Sequence, residues 1–141
     1  QEILLSGPSG SEHVLMDSHE FIARVRQFPC DYWRGGGAVI TIKSNDKTSK
    51  LIIVPMSGHG IYMQYCEEDQ SGRIQRLLLS LRDRTRLSQV VEVADEYYAS
   101  EGLFICPELA ADAVGHFIET GMLPQTIEWI SPAELPGEGN Y

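Results

Sequence analysis

The alternation of apolar and polar residues predicts a β-rich central segment. Two apolar runs, Ala38–Lys43 and Lys50–Met56, are joined by the polar stretch Ser44–Ser49, a pattern typical of a β-hairpin. After a second turn at Ser57–Gly60, apolar and polar residues alternate through Ile61–Cys66, as they do in a half-buried strand. We therefore expect an antiparallel meander of three strands in the middle of the chain.

Two other segments have helical spacing. Asp17 is a predicted N-cap with Glu20 as its capping-box partner, and Pro29 closes the short helix that follows. The apolar face of this helix comprises Phe21, Ile22, Val25 and Phe28. A second helix is predicted from Pro107, which suits a first helical turn, to Gly121, which suits a helix stop. Its apolar stripe comprises Leu109, Ala110, Ala113, Val114, Phe117 and Ile118.

The remaining apolar runs complete the predicted sheet. Further strands are expected at His13–Met16, Gln89–Val93 and Thr126–Ile130. Ile74, Leu77, Leu78 and Leu81 have helical spacing, yet Arg76–Leu81 could equally be a strand, so this assignment stays open. These elements predict an α+β fold in which two or three helices pack mainly on one face of an antiparallel sheet.

The chain length predicts a single domain, and the composition of its two ends sets the limits of that domain. With 141 residues, 43% of them hydrophobic and 22% charged, the chain has enough apolar residues for one core. Residues 1–12 are predicted to be a flexible lead-in and residues 132–141 a frayed tail, which leaves the domain at residues 13–131. The apolar runs are too short to cross a membrane, and three cysteines without a C-x-x-C pair do not predict a disulfide scaffold.

Charge is the most informative bulk property. The net charge is −9, which disfavours nucleic acid and anionic membranes as partners and favours a basic protein. Residues 87–141 contain ten acids and no Lys or Arg, whereas residues 1–86 contain ten acids and all eleven basic residues. The asymmetry predicts either a one-sided negative field or, after folding, ion pairs with Arg73, Arg76, Arg82, Arg84 and Arg86.

Acids beside tyrosines are candidates for a protein-binding face, because Tyr supplies rigid contact area and carboxylates match Arg and Lys of a partner. The predicted contact residues are Glu67, Glu68, Asp69, Asp95, Glu96, Tyr97, Tyr98 and Glu101. The alternative for the first three is a solvated turn. For the two tyrosines the alternative is a strand with one ring buried and one exposed.

No motif predicts catalysis, a metal or a cofactor. G-x-S-x-G, H-E-x-x-H and the H-x-E with P-C-x-x-C of zinc deaminases are all lacking from the sequence. Ser44-x-x-Lys47 matches a β-lactamase fragment by spacing alone, and the glycines at Gly35–Gly37 and Gly58–Gly60 flank strands rather than a phosphate-binding helix. We therefore expect a binding protein, with a small carboxylate-dependent enzyme and a housekeeping interaction module as alternatives.

The segment Leu103–Trp129 resembles the type 1 immunity protein family of bacterial polymorphic toxin systems. The matching residues are Pro107-Glu108-x-x-Ala111, then Phe117-Ile118-Glu119-Thr120-Gly121-Met122-Leu123-Pro124, then Ile127-Glu128-Trp129, close to the family ending F-x-x-T-G-x-x-P-x-x-[IV]-x-W. The match covers roughly the last third of the chain, and the preceding order of elements agrees only in outline.

The resemblance implies a cytoplasmic protein that binds a cognate toxin, often a deaminase, and occludes its active site. The motif residues themselves look architectural. We expect Phe117 to face the core, Gly121 to permit a left-handed helix stop and Trp129 to anchor the last strand. The resemblance does not indicate an oligomeric state.

Overall fold

The fold is built on an antiparallel sheet, which a computed structural model describes for residues 2–94 and 97–136. The strands within these residues are β1 (Ile3–Ser6), β2 (Glu12–Val14), β3 (Ala38–Lys43), β4 (Lys47–Met56), β5 (Gly60–Asp69), β6 (Ile74–Leu81), β7 (Val90–Ala94), β8 (Tyr97–Ser100) and β9 (Glu128–Ile130). The helices are α1 (Ser18–Arg26) and α2 (Pro107–Thr120), with short 3-10 helices at Asp31–Gly35, Arg84–Arg86, Glu101–Leu103 and Pro132–Glu134.

Strand order confirms the predicted meander and the α+β class. In the described part of the chain, seven strands form one sheet in the order β2-β1-β3-β4-β5-β6-β9, while β7 and β8 form a separate hairpin. Strands β3, β4 and β5 pair antiparallel, with Ile40 opposite Leu51 and Leu51 opposite Tyr65. Apolar residues therefore lie side by side across the meander.

The open assignment of Ile74–Leu81 is resolved as strand β6. Leu78 pairs with Tyr65 and packs against the core beneath the helices, whereas Leu79 pairs with Gln64 and belongs to a second cluster on the other face. A strand buried on both faces carries apolar residues at consecutive positions, which also match helical spacing. Pairing with β5 decides between the two conformations.

Both predicted helices are confirmed, although the first differs in detail. The Asp17 carboxylate accepts a hydrogen bond from the Glu20 amide at 2.9 Å, which caps α1. The Glu20 carboxylate accepts from Arg24 instead of completing the predicted capping box, and α1 ends at Arg26, before Phe28. Gly121 ends α2 in the left-handed conformation with φ 74°, which glycine adopts without steric cost. Neither helix of the described residues is long and apolar enough to cross a membrane.

The two sheet faces are covered differently, as expected for helices packed mainly on one face. The core beneath the helices joins Phe21 and Val25 of α1 and Phe117 of α2 to inward residues of the sheet. These sheet residues include Leu5, Ile40, Leu51 and Met63. The second face carries a smaller cluster in which Tyr62, Leu79, Ala99 and Phe104 pack together. The β7–β8 hairpin covers this second cluster.

The prediction of a flexible lead-in over residues 1–12 is wrong for Ile3–Ser6. These residues form β1, which pairs with both β2 and β3, and Leu5 is buried opposite Ile40. The run of Gly, Pro and Ser that follows is the turn between β1 and β2 rather than part of a loose segment. Burial of one apolar side chain and pairing on both sides stabilise this short strand.

The predicted tail is also partly ordered by contacts. Ser131 forms a capping box with Glu134, and Leu135 packs against the second cluster. Residues 137–141 lie outside the described residues. The C-terminal motif otherwise behaves as predicted, since Phe117 is buried and the Trp129 indole donates to the Pro124 carbonyl at 3.3 Å.

Candidate protein-binding surface

The carboxylate of Glu67 is occupied by neighbouring strands. The Tyr65 hydroxyl donates to Glu67 Oε2 at 2.5 Å, and the cations of Lys47 and Arg76 lie 3.6 and 3.9 Å from the same oxygen. Its side chain is largely buried at the end of β5. Glu67 therefore has local partners that any binding protein would have to displace.

The other two acids of this cluster are partnered as well. Glu68 pairs with Lys50 of β4 at 3.1 Å. Asp69 accepts hydrogen bonds from the Ser71 hydroxyl and from the amides of Ser71 and Arg73, and these bonds hold the pKa of its carboxyl below the ordinary value. The solvated-turn interpretation fits Asp69, which organises the turn between β5 and β6.

The prediction of Glu101 as a contact residue needs correction. Only 7% of Glu101 is exposed, because it lies under the turn between β4 and β5. Its carboxylate lies 2.5 Å from His59 Nδ1, and the guanidinium groups of Arg82 and Arg86 lie at 3.7 and 3.9 Å. A carboxylate held in this way is a structural element, so we remove Glu101 from the candidate contacts.

The sequence contains no local signal for this cluster, since His59 and Glu101 are 42 residues apart. The one hint is the spacing of Arg82 and Arg86 in a chain segment dense in arginine. Sequence analysis anticipated Arg82 and Arg86 as ion-pair partners but missed His59.

The β7–β8 hairpin brings the remaining predicted residues to one surface. Glu92 pairs with Tyr98 and Val90 with Ser100, so these positions share one side of the ribbon. The other side carries Val91, Val93 and Ala99 toward the second cluster. Ser100, at the base of this side, is fully buried, and we call the other three positions, Val90, Glu92 and Tyr98, the outward row.

Tyr97 and Tyr98 have different surroundings, as the alternative interpretation of the pair anticipated in part. The Tyr97 hydroxyl lies 3.2 Å from the side-chain amide of Gln64 on β5, so this ring faces the sheet. Tyr98 lies in the outward row, and both rings are half-buried. Asp95 and Glu96, which lie between β7 and β8 in the sequence, are outside the described residues.

The hairpin is attached to the rest of the fold at its base. The Glu101 amide donates to the Gln89 carbonyl at 2.6 Å, and Arg86 Nε donates to the Gln89 side chain at 3.1 Å. The hairpin thus begins and ends beside the buried Glu101 cluster. Its outward row is presented on an anchored element, which lowers the entropic cost of binding.

Ion pairs between the two parts of the chain absorb part of the charge asymmetry. Asp112 of α2 lies 3.6 Å from Arg26 of α1, and Arg84 contacts both Glu128 and Glu134. Together with the pairs of Glu101, these contacts support the expectation that acids of the second part neutralise arginines of the first. On α2, Glu108 and Glu119 make no ion pair with described residues.

Comparison with known proteins adds no assignment. No protein-family model, curated protein or solved structure matches the chain. Within the described ranges, no group of three or more His, Cys, Asp or Glu side chains is arranged to hold a metal ion. The geometry of the surface is therefore the basis for any functional proposal.

Alkaline pH is expected to destabilise the protein through Tyr62 and Tyr65. Burial raises the pKa of Tyr65 to about 12 and that of Tyr62 above its ordinary value. The neutral phenols thus stabilise the folded state below pH about 10, and this contribution is lost as the pH rises toward about 12. Tyrosinate absorbance and circular dichroism should change together. Ionisation of all tyrosines near pH 10 without unfolding would contradict this expectation, and Tyr65→Phe should remove part of the late absorbance change.

Proposed function

We propose that this chain is an immunity protein that neutralises a cognate bacterial toxin by binding it, and that the β7–β8 hairpin is the main contact surface. The observation that carries the proposal is the outward row, where Val90, Glu92 and Tyr98 lie on the side of the ribbon away from the second cluster. Asp95 and Glu96 follow in the same stretch of sequence. Acidic and aromatic residues are thereby concentrated on one anchored element.

The chemistry of the outward row suits a basic protein partner. Val90 is exposed and supplies apolar contact, while Tyr98 supplies a ring with a hydrogen-bonding tip. Carboxylates beside them match the Arg and Lys with which a toxin binds phosphates. The net charge of −9 accelerates encounter with such a surface.

The proposed toxin class rests on the resemblance of Leu103–Trp129 to the type 1 immunity protein family. We propose a nucleic-acid-targeting toxin, a deaminase in the first instance, whose active site is occluded in the cytoplasm of the producing cell. Glu67, Glu68 and Glu101 are held in ion pairs within the chain, so we place the centre of the proposed interface on the hairpin.

Reversing the charge of the hairpin should abolish protection. We expect the double variant Asp95→Lys with Glu96→Lys to lose binding because like charges then face the basic partner, at a cost of several kcal/mol. The test is co-expression with the toxin domain encoded beside this gene, followed by pull-down and cell survival. The melting temperature of the purified variant should stay unchanged.

A matched control is available on α2. Glu108→Lys with Glu119→Lys changes the net charge by the same amount on the helix side of the sheet, where neither acid makes an ion pair with described residues. This variant should still protect. Undiminished protection by the hairpin variant would remove the hairpin from the interface, and survival of cells that lack the chain would show that the neighbouring gene is not its toxin.

A further inference from the structure

Part of strand β6 has an unpaired edge. Strand β9 pairs only with Leu79, Ser80 and Leu81 of β6. Over Ile74–Leu78, β6 has β5 on one side and no strand of the described residues on the other. Backbone donors and acceptors at such an edge are free to pair with another extended chain.

The chain itself prevents β9 from covering this edge. Directly after Ile130, Ser131 caps a 3-10 helix that begins at Pro132. The capping box between Ser131 and Glu134 fixes the departure of the chain from the sheet. Among the described residues, no strand occupies the position beside Leu78 that a longer β9 would take.

The alternation of hydrogen bonds identifies the open backbone groups. The Met63 amide points toward β6, because it donates to the Ser80 hydroxyl at 3.0 Å. Two residues along β5, Tyr65 points the same way and pairs with Leu78. The backbone amide and carbonyl of Leu78 therefore point toward β5. Those of Leu77, the preceding residue, point the opposite way and face the open edge.

A groove lies beside this edge on the helix side of the sheet. It has a volume of about 690 Å³, and its apolar lining includes Leu78, Trp129 and Met122. Met122 is 66% exposed, so the groove wall presents apolar surface to solvent. Side chains of a strand added at the edge would alternate between this groove and the opposite face.

The charge of the groove favours an acidic occupant. Lys47 and Arg76 share the one carboxylate of the groove lining, that of Glu67, which leaves one excess positive charge. Arg73, just before β6, makes no ion pair within the described part of the chain. Glu68 and Asp69 lie at the same end of the sheet, so the excess positive charge is confined to the groove itself.

We propose that an extended segment of another protein adds antiparallel to the open edge of β6 and places an apolar and an acidic side chain in the groove. Leu78 and Arg76 lie on the same face, so the apolar residue faces Leu78 and the acidic residue, two positions later, faces Arg76. This surface is separate from the hairpin and needs no toxin, so it goes beyond the proposed function.

The site is short, which sets its affinity. A register shift between Glu67 and Glu68 interrupts the pairing of β5 with β6, and bulges of this kind normally protect sheet edges. The regular edge is thus limited to Arg76–Leu78. We expect weak, reversible binding that depends on both the backbone and the groove.

The probe is a blocked peptide of about six residues, acetyl-TLTETV-amide, whose leucine and glutamate fall opposite Leu78 and Arg76. We expect it to bind and to slow hydrogen exchange of the Leu77 amide. N-methylation of the threonine between leucine and glutamate removes the donor that faces Leu77, and it should weaken binding at least about tenfold. The measurements are an NMR titration and amide exchange on the full chain.

Arg76→Glu should weaken binding about fivefold or more, whereas the control Arg34→Glu should not, because Arg34 is an exposed arginine away from the groove with 81% of its side chain accessible. Equal binding of the methylated peptide, or unchanged exchange at Leu77, would overturn the proposal. A dimer that protects the Leu77 amide without peptide would assign the edge to a second copy and also overturn it. The hairpin variant Asp95→Lys with Glu96→Lys should bind the peptide as tightly as the original chain does. That result would show that this surface is distinct from the proposed toxin interface.

Discussion

Replacing Phe117 with alanine is expected to lower the free energy of unfolding by about 4 kcal/mol. The Phe117 ring is 0% exposed and meets the Tyr65 ring edge-to-face, with 6.0 Å between the ring centroids. It joins α2 to the centre of the sheet, so its removal leaves a cavity that neighbouring β-strands cannot fill. Denaturant unfolding followed by circular dichroism measures the loss.

The control for this core substitution is Met122→Ala, since Met122 follows the same helix but is mostly exposed. We expect that change to alter stability by less than about 0.5 kcal/mol. A loss below about 1 kcal/mol for Phe117→Ala would contradict the packing of α2 on the sheet.

Replacing Glu101 with alanine is expected to cost about 3 kcal/mol of stability. The change removes the partner of His59 and leaves Arg82 and Arg86 without their shared carboxylate. Arg82 is also held in place, because its Nε donates to the Phe104 carbonyl at 2.7 Å. The cation therefore keeps its position when its partner is lost, although part of it reaches solvent. Thermal and denaturant unfolding measure the effect.

Glu101→Gln separates shape from charge at this position. The amide fills the same space and retains hydrogen-bonding capacity, so we expect a smaller loss of stability than for alanine. A Glu101→Ala variant that is as stable as the original chain but no longer protects cells would show that Glu101 contacts the toxin after all.

Sequence pattern alone predicts an element correctly when its start, its apolar residues and its end all lie within one short segment. Helix α2 carries its first-turn proline, apolar stripe and terminal glycine within a continuous stretch, and β3 and β4 are apolar runs around a polar turn. Strand β6 was ambiguous for the opposite reason. Its conformation depends on pairing with β5 and on burial of both faces, and neither is visible in the spacing of its leucines.

The candidate site was less accessible to sequence analysis. Runs of acids beside tyrosines suggest an accessible protein-binding face, but Glu67 and Glu68 pair with cations from other strands and Glu101 is buried beside His59. These contacts join residues that are distant in the sequence. A count of charges gives their sum but not their partners, so it could not assign these ion pairs.

The attachment of the β7–β8 hairpin has a consequence for how this protein can diverge. The ribbon is a sheet of its own, and its outward row projects away from the second cluster. Mutations at Val90 or Tyr98 can therefore accumulate without disturbing the seven-stranded scaffold. Under the proposed function, binding specificity can change at these positions while the seven-stranded scaffold stays the same.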